Sequence, residues 1–149
     1  FDIEEIAHHL SIINRHAGGT HVPLPVSQHC CCVAEIVHRK YRRHALLHDG
    51  HEMMTGDIPS PLKALLGRAI EDIEQRIDRA IWKAFGVLVD EQSCRAVSAA
   101  DDMMLAVERR DLTPGGLVRL DYCGRAVPQP DARITIEPLH WKEAKRRFL

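Results

Sequence analysis

No charge of one sign dominates this chain: 20 Lys and Arg stand against 21 Asp and Glu, a formal net charge of −1. Modules that grip duplex nucleic acid carry a basic surplus, so a polymeric nucleic acid is not an expected partner. No apolar run approaches the ~20 residues that span a bilayer, and no basic segment followed by an apolar stretch marks a secretion signal. No membrane partner and a cytoplasmic location are therefore expected. A disulfide framework is missing too. The five cysteines are an odd number and three of them, Cys30, Cys31 and Cys32, are contiguous, where neighbours are badly placed to pair. That points to a reducing compartment. Repeats and low-complexity tracts are absent, and 149 residues suit one domain, residues 1–149. With 45% hydrophobic and 28% charged residues the chain has the proportions of a packed globule, not of a disordered one. What it has in surplus is histidine, ten in all, which raises the question of metal or proton chemistry.

Periodicity places helices along most of the chain, so the expected fold class is all-α. Ile3, Ile6, Leu10 and Ile13 recur at three- and four-residue steps behind acidic Asp2, Glu4 and Glu5, which predicts a first helix over residues 2–14. Gly18, Gly19, Pro23 and Pro25 make residues 16–25 irregular, and the Ser27 hydroxyl is expected to cap the next helix. Val26, Cys30, Val33, Val37 and Tyr41 would form its inner face, with a short third helix through Ala45, Leu46 and Leu47. Residues 49–60 read as turns around Gly50, Gly56 and Pro59. One long amphipathic helix should then carry Leu62, Leu65, Leu66, Ala69, Ile70, Ile73, Ile77, Ile81 and Phe85 on a single stripe, in the core or against another copy, and end at Gly86. A further helix over 91–111 turns Val97, Ala100, Met104 and Leu105 inward, with Glu108 at the margin. Residues 117–136 alternate between apolar positions and Gly or Pro, a loop or a short hairpin near the C-terminus, before Glu137-Pro138 opens a last helix.

Laid on these helices, His29, the adjacent pair His48-Asp49, and Asp101 form a mixed nitrogen and oxygen donor set. Such donors suit a borderline-to-hard divalent ion, Mn, Co, Fe, Ni, Zn or Mg, without selecting one, and leave room for water and substrate. On spacing alone each residue has an ordinary alternative: a buried histidine bonded to backbone, an aspartate capping a helix, a solvated Asp101-Asp102 pair. Consecutive cysteines point in different directions along a helix, so Cys30 to Cys32 read as packing and not as a metal clip. His8, His9, His38 and His44 read as background, the last two beside a basic run on a solvated surface.

The run Gln28-His29, then Ala45-Leu46-Leu47-His48-Asp49-Gly50-His51-Glu52, then Gly56-Asp57-Ile58-Pro59-Ser60-Pro61-Leu62-Lys63, then Ala100-Asp101 with Glu108-Arg109-Arg110-Asp111-Leu112, resembles the HD-domain metal-dependent phosphohydrolase superfamily. The likeness is nearest to bacterial 5′-deoxynucleotidases and phage deoxyadenosine triphosphate hydrolases, and covers nearly the whole chain. It implies an HD-type helical bundle in which His29, His48, Asp49 and Asp101 hold one divalent metal ion. It implies that Glu52 activates the attacking water or relays a proton, that Asp57 lies near the sugar and scissile phosphate, and that Arg15 grips phosphate. Lys63 and His51 are further candidates for substrate contact. Where the deoxynucleotidase branch commonly has tryptophan after the arginine, this chain has His16 and a glycine-rich loop.

The chemistry those residues would perform follows from general rules. A bound metal ion lowers the pKa of water from about 15.7 toward ~7 and holds nucleophile and phosphorus in line. A cation such as Arg15, with Lys63, stabilises charge on the peripheral phosphoryl oxygens. The expected function is hydrolysis of a small nucleotide, with deoxynucleoside 5′-monophosphate first and a deoxynucleoside triphosphate triphosphohydrolase as the alternative. A non-catalytic nucleotide- or metal-binding module is the alternative of another class. Small relatives of this branch suggest a homo-oligomer, a dimer or a hexamer, by analogy.

Overall fold

The computed structural model describes residues 1–114 and 128–149, and among these the chain is all-α, with a single isolated bridge between Asn14 and Pro25 in place of any strand. Helix α1 (Ile3–Ile12) starts where the Asp2 side chain accepts the Glu4 N–H at 2.9 Å, and it buries Ile6, Ala7 and Leu10. A 3-10 turn (Arg15–Gly18) follows. Helix α2 (Val26–Ile36) is the central element and packs against α1, α3 (Arg42–Leu46), α7 (Glu91–Leu112) and α8 (Trp141–Phe148). Two apolar clusters lie around it, one built with α7 through Val33, Val97, Met104 and Val107, the other with α1 and α8 through Ile6, Leu10, Cys30 and Phe148. Each large aliphatic side chain removed from water in this way contributes about 1.5–3 kcal/mol.

Polar groups on the buried face of α2 carry specific partners. Gln28 donates to the Glu137 carbonyl at 2.8 Å and accepts the Leu139 N–H at 2.7 Å, which ties the segment before α8 to the core. Ser27 lies inside α2 and faces the Ser11 hydroxyl at 2.9 Å, whereas Pro25 occupies the cap position expected for Ser27. Pro25 makes no side-chain cap bond, and its carbonyl accepts the first helical N–H groups, those of Gln28 and His29. Helix α7 opens on a reciprocal cap in which Asp90 and Ser93 each accept the other's backbone N–H.

Four further expectations change. The second helix ends at Ile36 with Val37 as its cap, so Tyr41 lies in a separate 3-10 turn (Arg39–Tyr41) and not on that helix. The turn-rich stretch after Asp49 contains a one-turn helix, α4 (Glu52–Thr55). The long amphipathic stripe is divided at Gly67 into α5 (Ser60–Leu66) and α6 (Arg68–Ala84), because Gly67 adopts φ 59 and ψ −144, a conformation essentially confined to glycine. The division sends Ile70 and Ile81 inward but leaves Leu62 and Leu65 47% and 85% exposed. The last helix begins at Trp141, with His140 as its cap, and not at Glu137. The hairpin anticipated over 117–136 falls mostly on residues 115–127, outside the described residues; residues 128–140 contain no strand.

Candidate metal centre and substrate pocket

The four residues expected to share an ion come from three elements: His29 from the middle of α2, His48 and Asp49 from the turn after α3, and Asp101 from the third turn of α7. Gly50 allows that turn to close on α6, since a Cβ there would stand 3.0 Å from the Ile81 Cδ1 and 3.1 Å from the Leu47 carbonyl. His29 Nδ1 donates to Glu108 at 2.6 Å and His48 Nδ1 to the Ala45 carbonyl at 2.7 Å. Each bond fixes a tautomer that turns the Nε2 lone pair the other way, toward the carboxylates.

His29 Nε2 lies 3.1 Å from Asp101 Oδ1 and 3.6 Å from Asp49 Oδ2; His48 Nε2 lies 3.4 Å from Asp49 Oδ2 and 4.0 Å from Asp101 Oδ1. Donors about 2.0–2.2 Å from one ion stand roughly 3–4 Å apart, so these separations have the scale of a shared coordination sphere. His29 Nε2, His48 Nε2 and Asp49 Oδ2 are buried and make no hydrogen bond. Buried polar atoms without partners are costly, and a cation ligated by all of them removes that cost. His29, His48 and Asp101 group tightly enough to hold an ion, as do Cys30 with His48 and Asp49, and Asp49 with His51 and Glu52. In the second group burial, then Asp49 and Glu52, push the Cys30 thiol well above its usual range, which disfavours the thiolate a metal needs.

The local field favours positive charge at this spot. Burial and the Arg15 guanidinium both oppose a charged His29, yet Glu108 and Asp101 overcome them and hold its imidazole up at about 10. Against burial, His29, His48 and Arg15 hold Asp101 below the ordinary carboxylate range. A divalent ion would compete with a proton for His29 Nε2.

Beside the cluster is a cavity of about 610 Å³ lined by Arg15, His16, Asp49, Glu52, Asp57, Lys63, Asp101, Leu105 and Arg109, with Ile58, Pro59 and Pro61 on one wall. The volume suits a small-molecule ligand. Arg15 stands 3.6 Å from Asp49, 3.8 Å from Asp101 and 3.4 Å from Glu108. Glu52 is buried with Oε2 unpartnered, and burial together with the Asp49 carboxylate pushes its carboxyl up to about 10. Asp57 accepts the Ala17 N–H at 3.4 Å, and Lys63 pairs with Glu74 of α6 at 2.9 Å.

His51 takes a different place from the one expected. It is not among the pocket-lining residues; its Nδ1 donates to Asp78 of α6 at 3.0 Å, because Glu74 and Asp78 occupy the core-facing side of α6 and need donors. His44 is buried against Trp82, with ring centroids 5.0 Å apart, and is not on a solvated surface. Residues given no role at first also enter: Glu108, Glu74, Asp78, Arg109 and His16. Glu108 was within reach of sequence reasoning, since it follows Asp101 by seven positions, two helical turns, and so shares its face of α7.

The helical fold and its His/Asp cluster fit an HD-type domain. No family model matches the chain. It is similar to the uncharacterized protein YfdR of Escherichia coli, 38% identical over 110 residues that cover 74% of this chain and 60% of that protein. It is also similar to an uncharacterized protein of Rhodobacter capsulatus, 30% identical over 122 residues, 74% of this chain and 62% of that one. The chain thus spans about three fifths of the length of these curated relatives.

Proposed function

We propose that the chain is an HD-superfamily, metal-dependent phosphohydrolase that removes phosphate from a small nucleotide, with deoxynucleoside 5′-monophosphates as substrates. One observation carries this reading: two tautomer-fixed imidazole nitrogens and a carboxylate oxygen are buried within 4.0 Å of one another or of Asp101, none with a hydrogen bond, at the edge of a cavity that also holds Arg15 and Glu52. His29, His48, Asp49 and Asp101 would hold the ion, which when bound supplies an activated water and polarises a phosphoryl oxygen.

The chain's own groups do the rest. Arg15 orients the phosphate with paired N–H donors. Glu52, buried beside the cluster with Oε2 unpartnered, gives a proton to the leaving oxygen of the sugar, a contribution of roughly 10²–10⁴-fold. Asp57, held by the Ala17 N–H, accepts a hydrogen bond from a sugar hydroxyl. Monophosphate is preferred to triphosphate because Arg39, Lys40, Arg42 and Arg43 do not line the cavity. Of the cations that do among the described residues, Arg15 faces Asp49, Asp101 and Glu108, Lys63 faces Glu74, and Arg109 is the third. A longer polyphosphate would need more positive charge than this.

The test is metal analysis of the purified protein followed by a phosphate-release screen over ribo- and deoxynucleoside mono- and triphosphates. The expected result is release from a deoxynucleoside monophosphate that needs a divalent ion and stops on chelation. Metal without release would make the chain a binding module, and neither would overturn both readings.

A further inference from the structure

Glu108 is 0% exposed. An ionised carboxylate so far from water is costly unless donors surround it, and here they come from two other segments. His29 Nδ1 donates to Oε1 at 2.6 Å; Oε2 accepts His16 Nε2 at 2.9 Å and Arg15 Nε and Nη2, each at 3.4 Å. Glu108 itself does not line the cavity. It joins a residue of the cation cluster to the arginine that faces the cavity and to a turn in which His16 and Ala17 both hold positive φ, 58 and 50. Left-handed backbone at two consecutive non-glycine residues persists only where surrounding contacts enforce it, and the His16–Glu108 bond is such a contact.

We propose that Glu108 is a positioning residue that sets metal affinity through His29 and phosphate affinity through Arg15 and His16, so that one buried acid ties the two halves of the site together. The inference rests on the reading of the His/Asp cluster as a metal site. Two effects act in the same direction when the charge is removed. His29 exchanges the charged acceptor that fixes its tautomer and ring orientation for a neutral amide oxygen whose NH2 faces the donors His16 and Arg15, and Arg15 is left with Asp49 and Asp101, 3.6 and 3.8 Å away, as its remaining carboxylates. It is then drawn onto the ligands themselves, away from an incoming phosphate and in competition with the ion.

The experiment compares the wild-type chain with Glu108→Gln. The Mn²⁺ dissociation constant is measured by competition with a chromophoric chelator, and inorganic phosphate binding to the Mn²⁺-saturated protein by calorimetry. Glu108→Gln should bind Mn²⁺ about 10–100-fold more weakly and phosphate roughly tenfold more weakly. A far-downfield imidazole N–H proton resonance, expected for the short His29 bond, should move upfield in the variant, because a neutral amide replaces the charged acceptor. A folded Glu108→Gln with wild-type Mn²⁺ affinity overturns the proposal, and unchanged phosphate affinity overturns the coupling. If that variant does not fold, Glu108→Asp, which keeps the charge with a shorter reach, is measured instead, and wild-type affinities there overturn it equally. Wild-type protein that binds no Mn²⁺ removes the metal reading and this inference together. Mn²⁺ binding that depends on Glu108, without nucleotide hydrolysis, sustains the role of Glu108 and removes only the proposed activity.

Discussion

Glu52 and Asp101 occupy one cavity and divide its work between them. Asp101 belongs to the donor cluster, whereas Glu52 is buried with one oxygen unpartnered and its carboxyl pushed up to about 10 by burial and Asp49. Glu52→Gln should therefore keep bound metal while phosphate release falls by roughly 10²–10⁴-fold. Asp101→Asn should lose both, and metal content measured beside turnover separates the two outcomes. His44 supplies a test of a different kind. Burial, then the charge of His48, lowers its imidazole from 6.5 to about 4, and its Nδ1 has no partner. Between pH 6.5 and about 4 the unfolded chain binds a proton there that the folded chain refuses, so stability falls as pH drops through that window and is unaffected above it. His44→Phe keeps the edge-to-face contact with Trp82 and removes the titration. In urea unfolding with chelator present in both proteins, the variant should gain on the order of 2 kcal/mol over wild type between pH 6.5 and 4.

Helix α6 adds no side chain to the cavity lining, yet it orders two residues near it. Glu74 takes Lys63 of α5, and Asp78 takes His51 from the turn that follows Asp49. The kink at Gly67 makes this possible, because a continuous helix would carry Lys63 along the α6 axis and not back over α6 toward the cavity. Gly67→Ala meets no steric obstacle at Cβ but must hold alanine at φ 59. The strain is about 1–3 kcal/mol, so the melting temperature should fall by roughly 3–10 °C, measured by circular dichroism. Some element boundaries were legible in the sequence, those of α7 most closely. The three- and four-residue apolar period, the acidic start of α1, and Gly86 after α6 all fall where they were expected. The Gly67 break was not legible, because Leu62 to Phe85 keeps helical phase across it and periodicity records phase, not direction.

The whole molecule is arranged so that α2, the turn after α3, and α7 each place a donor at one point, while the two apolar clusters hold those elements together. An ion bound there would join all three and bind the folded chain far better than the unfolded one. At a free concentration about 100 times its dissociation constant, a divalent ion should stabilise the fold by ~2.7 kcal/mol. That raises the melting temperature by roughly 5–10 °C in a thermal scan, and Asp101→Asn should abolish the rise. The amino-acid order alone was enough to predict an all-α chain, because helical period is a local property; His29, His48, Asp49 and Asp101 were picked out by the resemblance to a family pattern, since their spacing left each an ordinary alternative. Packing had to settle the rest. Glu108 reaches His29 across 79 positions and Arg15 across 93, His51 turns to α6, and His44 is covered by Trp82. A side chain's partner depends on which distant element is folded against its face, and local pattern gives the face without giving the neighbour.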